Sequence, residues 1–160
     1  MDYEIKSHHG MNIIGIELRT NNEKAAKEIP AFWAHVQEHN LLGFIPKRIN
    51  TNRFYAMYTD YEKDASGEYS LIIGAEVVSL VDTPVPENMV SRVIPGGTYA
   101  VFTAKGELIA QAVGKTWQTI WDTKLDRTYA FDFEVYDLEL LSKKEPEVPI
   151  YVAIKSSDNE

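Results

Sequence analysis

The sequence predicts an α+β fold in which two βαββ modules, about residues 11–80 and 95–155 of a single 1–160 domain, form one antiparallel sheet. Two helices and a central ligand groove complete the expected architecture. Three observations carry this. The order strand–helix–strand–strand occurs twice along the chain. The two helical segments carry similar aromatic stripes, Ile29, Phe32 and Trp33 in the first and Trp117, Ile120 and Trp121 in the second, at identical spacing. Thr83-Pro84-Val85-Pro86, stiff and extended, separates the halves. A chain of 160 residues fits one domain of this kind.

The first strand is Met11-Asn12-Ile13-Ile14-Gly15-Ile16-Glu17-Leu18-Arg19, β-branched and apolar with polar residues entering at its end. Asn21-Asn22 offers a helix N-cap. Pro30 must then kink the helix or open a second segment, because its ring fixes φ and it has no N–H. Ile29, Phe32, Trp33 and Val36 fall at i, i+3, i+4 and i+7, one apolar stripe, and Gly43 is the expected stop. Phe54 to Glu62 and Tyr69 to Ser79 read as a hairpin around the polar turn Lys63-Asp64-Ala65-Ser66-Gly67.

In the second half Pro95-Gly96-Gly97 turns the chain into the strand Thr98–Thr103. A helix from about Glu107 to Leu125 follows, with the stripe Ile109, Ala112, Val113, Thr116, Trp117, Ile120. Strands Tyr129–Leu140 and Val148–Lys155 complete the repeat, and the hairpin tyrosines Tyr58 and Tyr136 take matching places. The tail Ser156-Ser157-Asp158-Asn159-Glu160 is expected to fray. Two such halves joined side by side leave a seam, a common place for a ligand pocket.

Composition narrows the chemistry. Hydrophobic residues at 44% suffice for a core. The absence of cysteine excludes disulfides and thiolate zinc sites and leans towards a reducing compartment. The first residues carry no basic region followed by an apolar run, and no stretch approaches the roughly 20 apolar residues of a membrane helix. A cytoplasmic protein without membrane or direct nucleic-acid contact is the expectation. A net charge of -8 repels a phosphate backbone and favours cationic partners.

The most informative segment is Phe131-Asp132-Phe133-Glu134-Val135-Tyr136-Asp137. Alternation puts Phe131, Phe133 and Val135 on one face and Asp132, Glu134 and Tyr136 on the other. The second face is either solvated or turned into the groove. In the groove, a carboxylate among aromatics would be relieved of its desolvation by an entering cation. The chain has 9 Tyr, 6 Phe and 3 Trp. Buried Tyr and Trp need polar partners, so clustering them at a seam fits a ligand-filled or wet pocket, although any single one is better explained as core.

Other motifs fit their contexts poorly. His35-Val36-Gln37-Glu38-His39 matches H-x-x-E-H, but Val36 continues the apolar stripe and Glu38 falls on the opposite side, leaving two surface histidines as the simpler reading. Gly114-Lys115-Thr116 lacks the earlier glycine of a phosphate loop and lies mid-helix. No serine sits in a G-x-S-x-G elbow.

Several short segments, in order, resemble one family. Ile29-Pro30-Ala31-Phe32-Trp33 with Ile45-Pro46-Lys47-Arg48, then Gly74-Ala75-Glu76-Val77, are similar to the first half of GyrI-like effector-binding domains. Ile94-Pro95-Gly96-Gly97-Thr98-Tyr99-Ala100-Val101-Phe102, Trp117-x-x-Ile120-Trp121, Phe133-Glu134-Val135-Tyr136 and Ile150-Tyr151-Val152-Ala153-Ile154-Lys155 resemble the second half. The resemblance runs from about Met11 to Lys155. It implies a duplicated βαββ fold around a groove that senses or sequesters small molecules, as parts of multidrug-responsive AraC- and MerR-type regulators or as stand-alone proteins such as integron-cassette binders of cationic drugs.

By that resemblance Glu134 is the pocket glutamate, and Phe32, Trp33, Tyr58, Tyr99, Trp117, Tyr136 and Tyr151 are the candidate walls. No helix-turn-helix segment precedes the module, so a stand-alone binder, or one working with a partner regulator, is expected. No cofactor or metal is implied. Two alternatives stay open: a small-molecule hydrolase using the same pocket, and an interaction module whose seam is dry and filled.

Overall fold

The computed structural model describes residues 2–64 and 66–156. Met1, Ala65 of the hairpin turn, and residues 157–160 of the expected frayed tail lie outside the described residues. The elements in chain order are β1 (Glu4–His8), β2 (Met11–Thr20), α1 (Asn22–Glu38), β3 (Arg53–Thr59), β4 (Tyr69–Glu76), β5 (Val90–Ile94), β6 (Gly97–Lys105), α2 (Ile109–Asp122), β7 (Arg127–Asp137), α3 (Leu138–Leu141) and β8 (Glu147–Ile154). A 3₁₀ turn, Leu41–Phe44, follows α1.

All eight strands form one antiparallel sheet in the order β1-β6-β8-β7-β3-β4-β2-β5. The α+β architecture is therefore as the sequence predicts, with β3–β7 as the seam between the halves. The two outer strands are additions to the expected six. Each crosses over: β1 leads into β2 yet pairs with β6, while β5 leads into β6 yet pairs with β2.

These crossings force the sheet to curl. In a flat sheet β1 and β2 would be six strand spacings apart, about 29 Å. Only His9 and Gly10 join them, a reach of about 10 Å. Pro95 and Gly96 make the same short link between β5 and β6. The sheet therefore rolls into a half-barrel, and the two links pass beside each other. A Cβ on Gly10 would lie 2.9 Å from the Ile94 carbonyl oxygen, and one on Gly96 3.1 Å from that of His8. Only glycine allows backbones to pass this closely.

Curling gives the sheet two different faces. Inside the curl, residues from seven strands meet in one core, among them Met11, Met57, Ile72, Ile94, Tyr99 and Phe133. The outer face carries the helices. Ile120 of α2 packs on Phe102, Ile150 and Val152, and Val36 of α1 on Ala56, Leu71 and Ile73. Each helix thus buries its stripe on its own half.

Local signals explain most element ends, with three departures. Asn21 caps α1 through its side chain, which accepts from the Lys24 N–H at 3.0 Å. Pro30 lies inside an unbroken α1 and does not divide it; it leaves the Ala26 carbonyl without its usual helical donor. The helix stops before Gly43, the expected stop: the chain leaves at His39, and Asn40 takes the left-handed conformation (φ 49°). The expected strand end at Leu138–Leu140 is instead the short α3, capped by the Asp137 side chain on the Glu139 N–H.

Candidate functional site

Between α1 and α2, above the β3–β7 seam, the outer face opens into a cleft of about 870 Å³. Its floor follows from strand alternation. In β3 Tyr55 and Met57 point into the barrel core, so Phe54, Ala56 and Tyr58 face the helices. In β7 Phe133 belongs to the barrel core, so Asp132, Glu134 and Tyr136 face outwards. The register sets Ala56 opposite Glu134, Tyr58 opposite Asp132, and Phe54 opposite Tyr136. The small Ala56 side chain leaves room for the longer glutamate beside it.

Glu134 is the centre of the floor. It is 2% exposed. Trp117 donates its Nε1–H to Oε2 at 2.7 Å, Tyr58 donates its hydroxyl to Oε2 at 3.1 Å, and Tyr136 donates its hydroxyl to Oε1 at 2.6 Å. All three donors are neutral, and no cation pairs with Glu134 among the described residues. Burial pushes its carboxyl above the ordinary glutamate range, and the three hydrogen bonds pull against that. The Tyr58 and Tyr136 phenols are held well above their usual value, first by burial and then by the Glu134 charge, so they remain donors.

Aromatic rings build the walls. Trp117 of α2 meets the Tyr58 ring edge-on at 5.3 Å. Trp33 of α1 lies 5.1 Å from Tyr136, which stacks on Phe54 at 5.1 Å. Trp121, one turn beyond Trp117, lines the mouth and is 54% exposed.

A second acid on the same strand behaves differently. Asp132 is fully buried, and burial raises its carboxyl while Arg127 opposes the shift. Arg127 donates to it at 2.8 Å, as does the Ala153 N–H at 2.8 Å, and the Tyr61 hydroxyl closes the set. Asp132 and Arg127 cancel, so the acid on the cleft floor that carries an uncompensated charge when ionised is Glu134, which has no cationic partner among the described residues.

The structure thus brings Glu134, Tyr58, Trp117, Tyr136 and Trp33 to one cleft. Phe32 packs against the sheet core beneath α1. Tyr99 and Tyr151 are placed on the opposite face, against Phe133 at 5.3 and 4.7 Å, because their strand positions alternate into the barrel. His35 and His39 sit together on the exposed side of α1, their rings 4.7 Å apart. Tyr61, Tyr69, Trp121 and Arg127 line the cleft without having been singled out as wall residues. Trp121 had a signal, its match in spacing to Trp33. Arg127 had none: five residues before Asp132, regular alternation would place it on the other face. A register shift between the two, with Tyr129 at φ 56°, turns it to the same side.

No helix among the described residues is long and apolar enough to cross a membrane. The family of integron-associated effector binding proteins, Cass2, matches residues 4–154. A Bacillus subtilis (strain 168) protein, YobU, named as a candidate transcriptional regulator, is 31% identical over 146 residues, spanning 88% of this chain and 90% of its own. The integron cassette protein VCH_CASS2 of Vibrio cholerae superposes with a TM-score of 0.72 at 25% identity, covering 96% of each chain. SAV2435 bound to tetraphenylphosphonium gives a TM-score of 0.81 at 16% identity, over 100% of this chain and 98% of its own, which shows the shared fold. With a family match over nearly its whole length and a floor carboxylate set among aromatic rings, the chain belongs to the integron-associated effector binding proteins.

Proposed function

We propose that the cleft binds an aromatic, amphipathic cation as effector, and that the protein senses or sequesters this molecule in connection with transcription regulation. Glu134 is the charge-selecting group, and Trp33, Tyr58, Trp117 and Tyr136 form the walls. The observation that carries this reading is a buried carboxylate held by three neutral donors, with no cation paired to it among the described residues, at the bottom of a cleft of about 870 Å³. Neutral donors lower the cost of ionising Glu134 but leave its charge uncancelled. A ligand cation supplies the missing charge, and each ring face adds about 0.5–2 kcal/mol of cation–π attraction.

The cleft volume lies in the usual range for small-molecule pockets, roughly 300–1,000 Å³. A filled seam would have favoured an interaction module. SAV2435, with the same fold, was solved with a lipophilic cation, and YobU carries a regulator's name; both support the reading.

The test uses two probes of one shape and opposite charge, tetraphenylphosphonium and tetraphenylborate. Titration followed by tryptophan fluorescence should show binding of the cation and none of the anion. Equal binding of both would mean that area alone, and not Glu134, selects the ligand.

A further inference from the structure

The effector reading uses Glu134 and leaves Arg127 unexplained. The Arg127 side chain is only 7% exposed and lines the cleft. Its Nη2 donates to Asp132 Oδ2 at 2.8 Å, and the guanidinium lies over the Tyr129 ring at 4.3 Å from the centroid. Its Nε–H is buried and meets no acceptor among the described residues. Asp132 is already occupied by Tyr61 and the Ala153 N–H, so it gives Nε no bond. A buried donor has lost its water, and a missing acceptor leaves that loss uncompensated. The chain reaches this arrangement through a register shift and a residue, Tyr129, in the left-handed region. Backbone strain of this kind tends to gather at ligand sites.

We infer that Arg127 forms a second polar subsite of the cleft, which takes an uncharged oxygen acceptor, such as a ketone or amide carbonyl, from the same ligand whose cation sits at Glu134. This rests on the effector reading above. The acceptor is uncharged because Asp132 already neutralises the guanidinium. A carboxylate brought there would be repelled by Asp132 and by Glu134. Asp132 and Glu134 are two residues apart on one strand, about 7 Å, which sets the separation of the two ligand groups. The favoured ligands are therefore aromatic cations with a carbonyl about 6–8 Å from the charged centre.

The test compares two aryl quaternary ammonium probes, identical except that one carries a ketone at that distance and the other a methylene. Calorimetric titration of the wild-type protein should show the ketone bound about tenfold more tightly, the worth of one hydrogen bond from a charged donor. In Arg127→Lys, where an ammonium can still face Asp132 but the Nε donor is gone, that ratio should fall towards one. Equal affinities in the wild type, with both probes weakened by Glu134→Gln, would overturn the Arg127 subsite and leave the charge reading standing. An undiminished ratio in a folded Arg127→Lys protein would also overturn it. If neither probe binds the wild type, both readings fall together.

Discussion

Replacing Glu134 with Gln separates charge from shape at the cleft floor. The amide has almost the same volume, and its carbonyl oxygen can still accept from Trp117, so the walls stay in place. What disappears is the one uncompensated negative charge. A cation resting about 5 Å from that carboxylate, at an effective dielectric of about 20, gains about 3 kcal/mol. Loss of the charge should therefore weaken a lipophilic cation by about 2–4 kcal/mol, roughly 30- to 1,000-fold in Kd. The unliganded protein should respond in the opposite sense. Burial raises the folded-state pKa of Glu134 above its unfolded value, so the native state takes up a proton more readily than the unfolded chain does. Ionised Glu134 therefore detracts from stability, by an amount that grows as pH rises from the unfolded pKa through the folded one and then levels off. The Gln variant should be at least as stable as wild type at pH 7, and the difference should vanish in acid. Tryptophan-monitored titration and urea unfolding at several pH values give both quantities. Unchanged cation affinity, in a variant that unfolds as the wild type does, would refute the assignment of Glu134 as counter-ion.

Three further outcomes follow from the same geometry. Asp132→Asn leaves Arg127 as a buried, unpaired cation and should destabilise by about 3–5 kcal/mol in urea unfolding; the contrast with Glu134→Gln, two residues along the strand, tests whether one acid is paired and the other is not. Trp117→Phe removes the donor at 2.7 Å from Glu134, which holds the carboxyl down, and should raise the pH at which cation binding is half lost, read from affinity against pH. Gly10→Ala forces a Cβ against the Ile94 carbonyl at the crossing of the two links and should cost about 1–3 kcal/mol; an unchanged urea midpoint would mean that the links can move apart.

Much of this was written in local sequence signals. The alternation of Phe131 to Asp137 determined that Glu134 and Tyr136 share a face with Asp132, and the helical spacing of Trp33 and Trp117 put each on an inward stripe. The N-cap at Asn21 and the strand content of both halves were equally local. Tertiary structure decided the rest. β1 and β5 are short edge strands, the first mostly exposed and the second partly buried, and nothing in their own residues announces that each crosses to the other half. Whether an alternating strand turns a given side to the helices or to the barrel depends on the register of its neighbours. That is why Tyr99 and Tyr151 went to the barrel core while Tyr58 and Tyr136 reached the cleft. The position of Arg127 depends on a register shift of three residues, five along β7 against two along β8, that breaks the period of two. Periodicity along the chain assigns each residue to a face of its own element. Which faces meet across the seam is a long-range property, set when β3 pairs with β7 and the sheet curls.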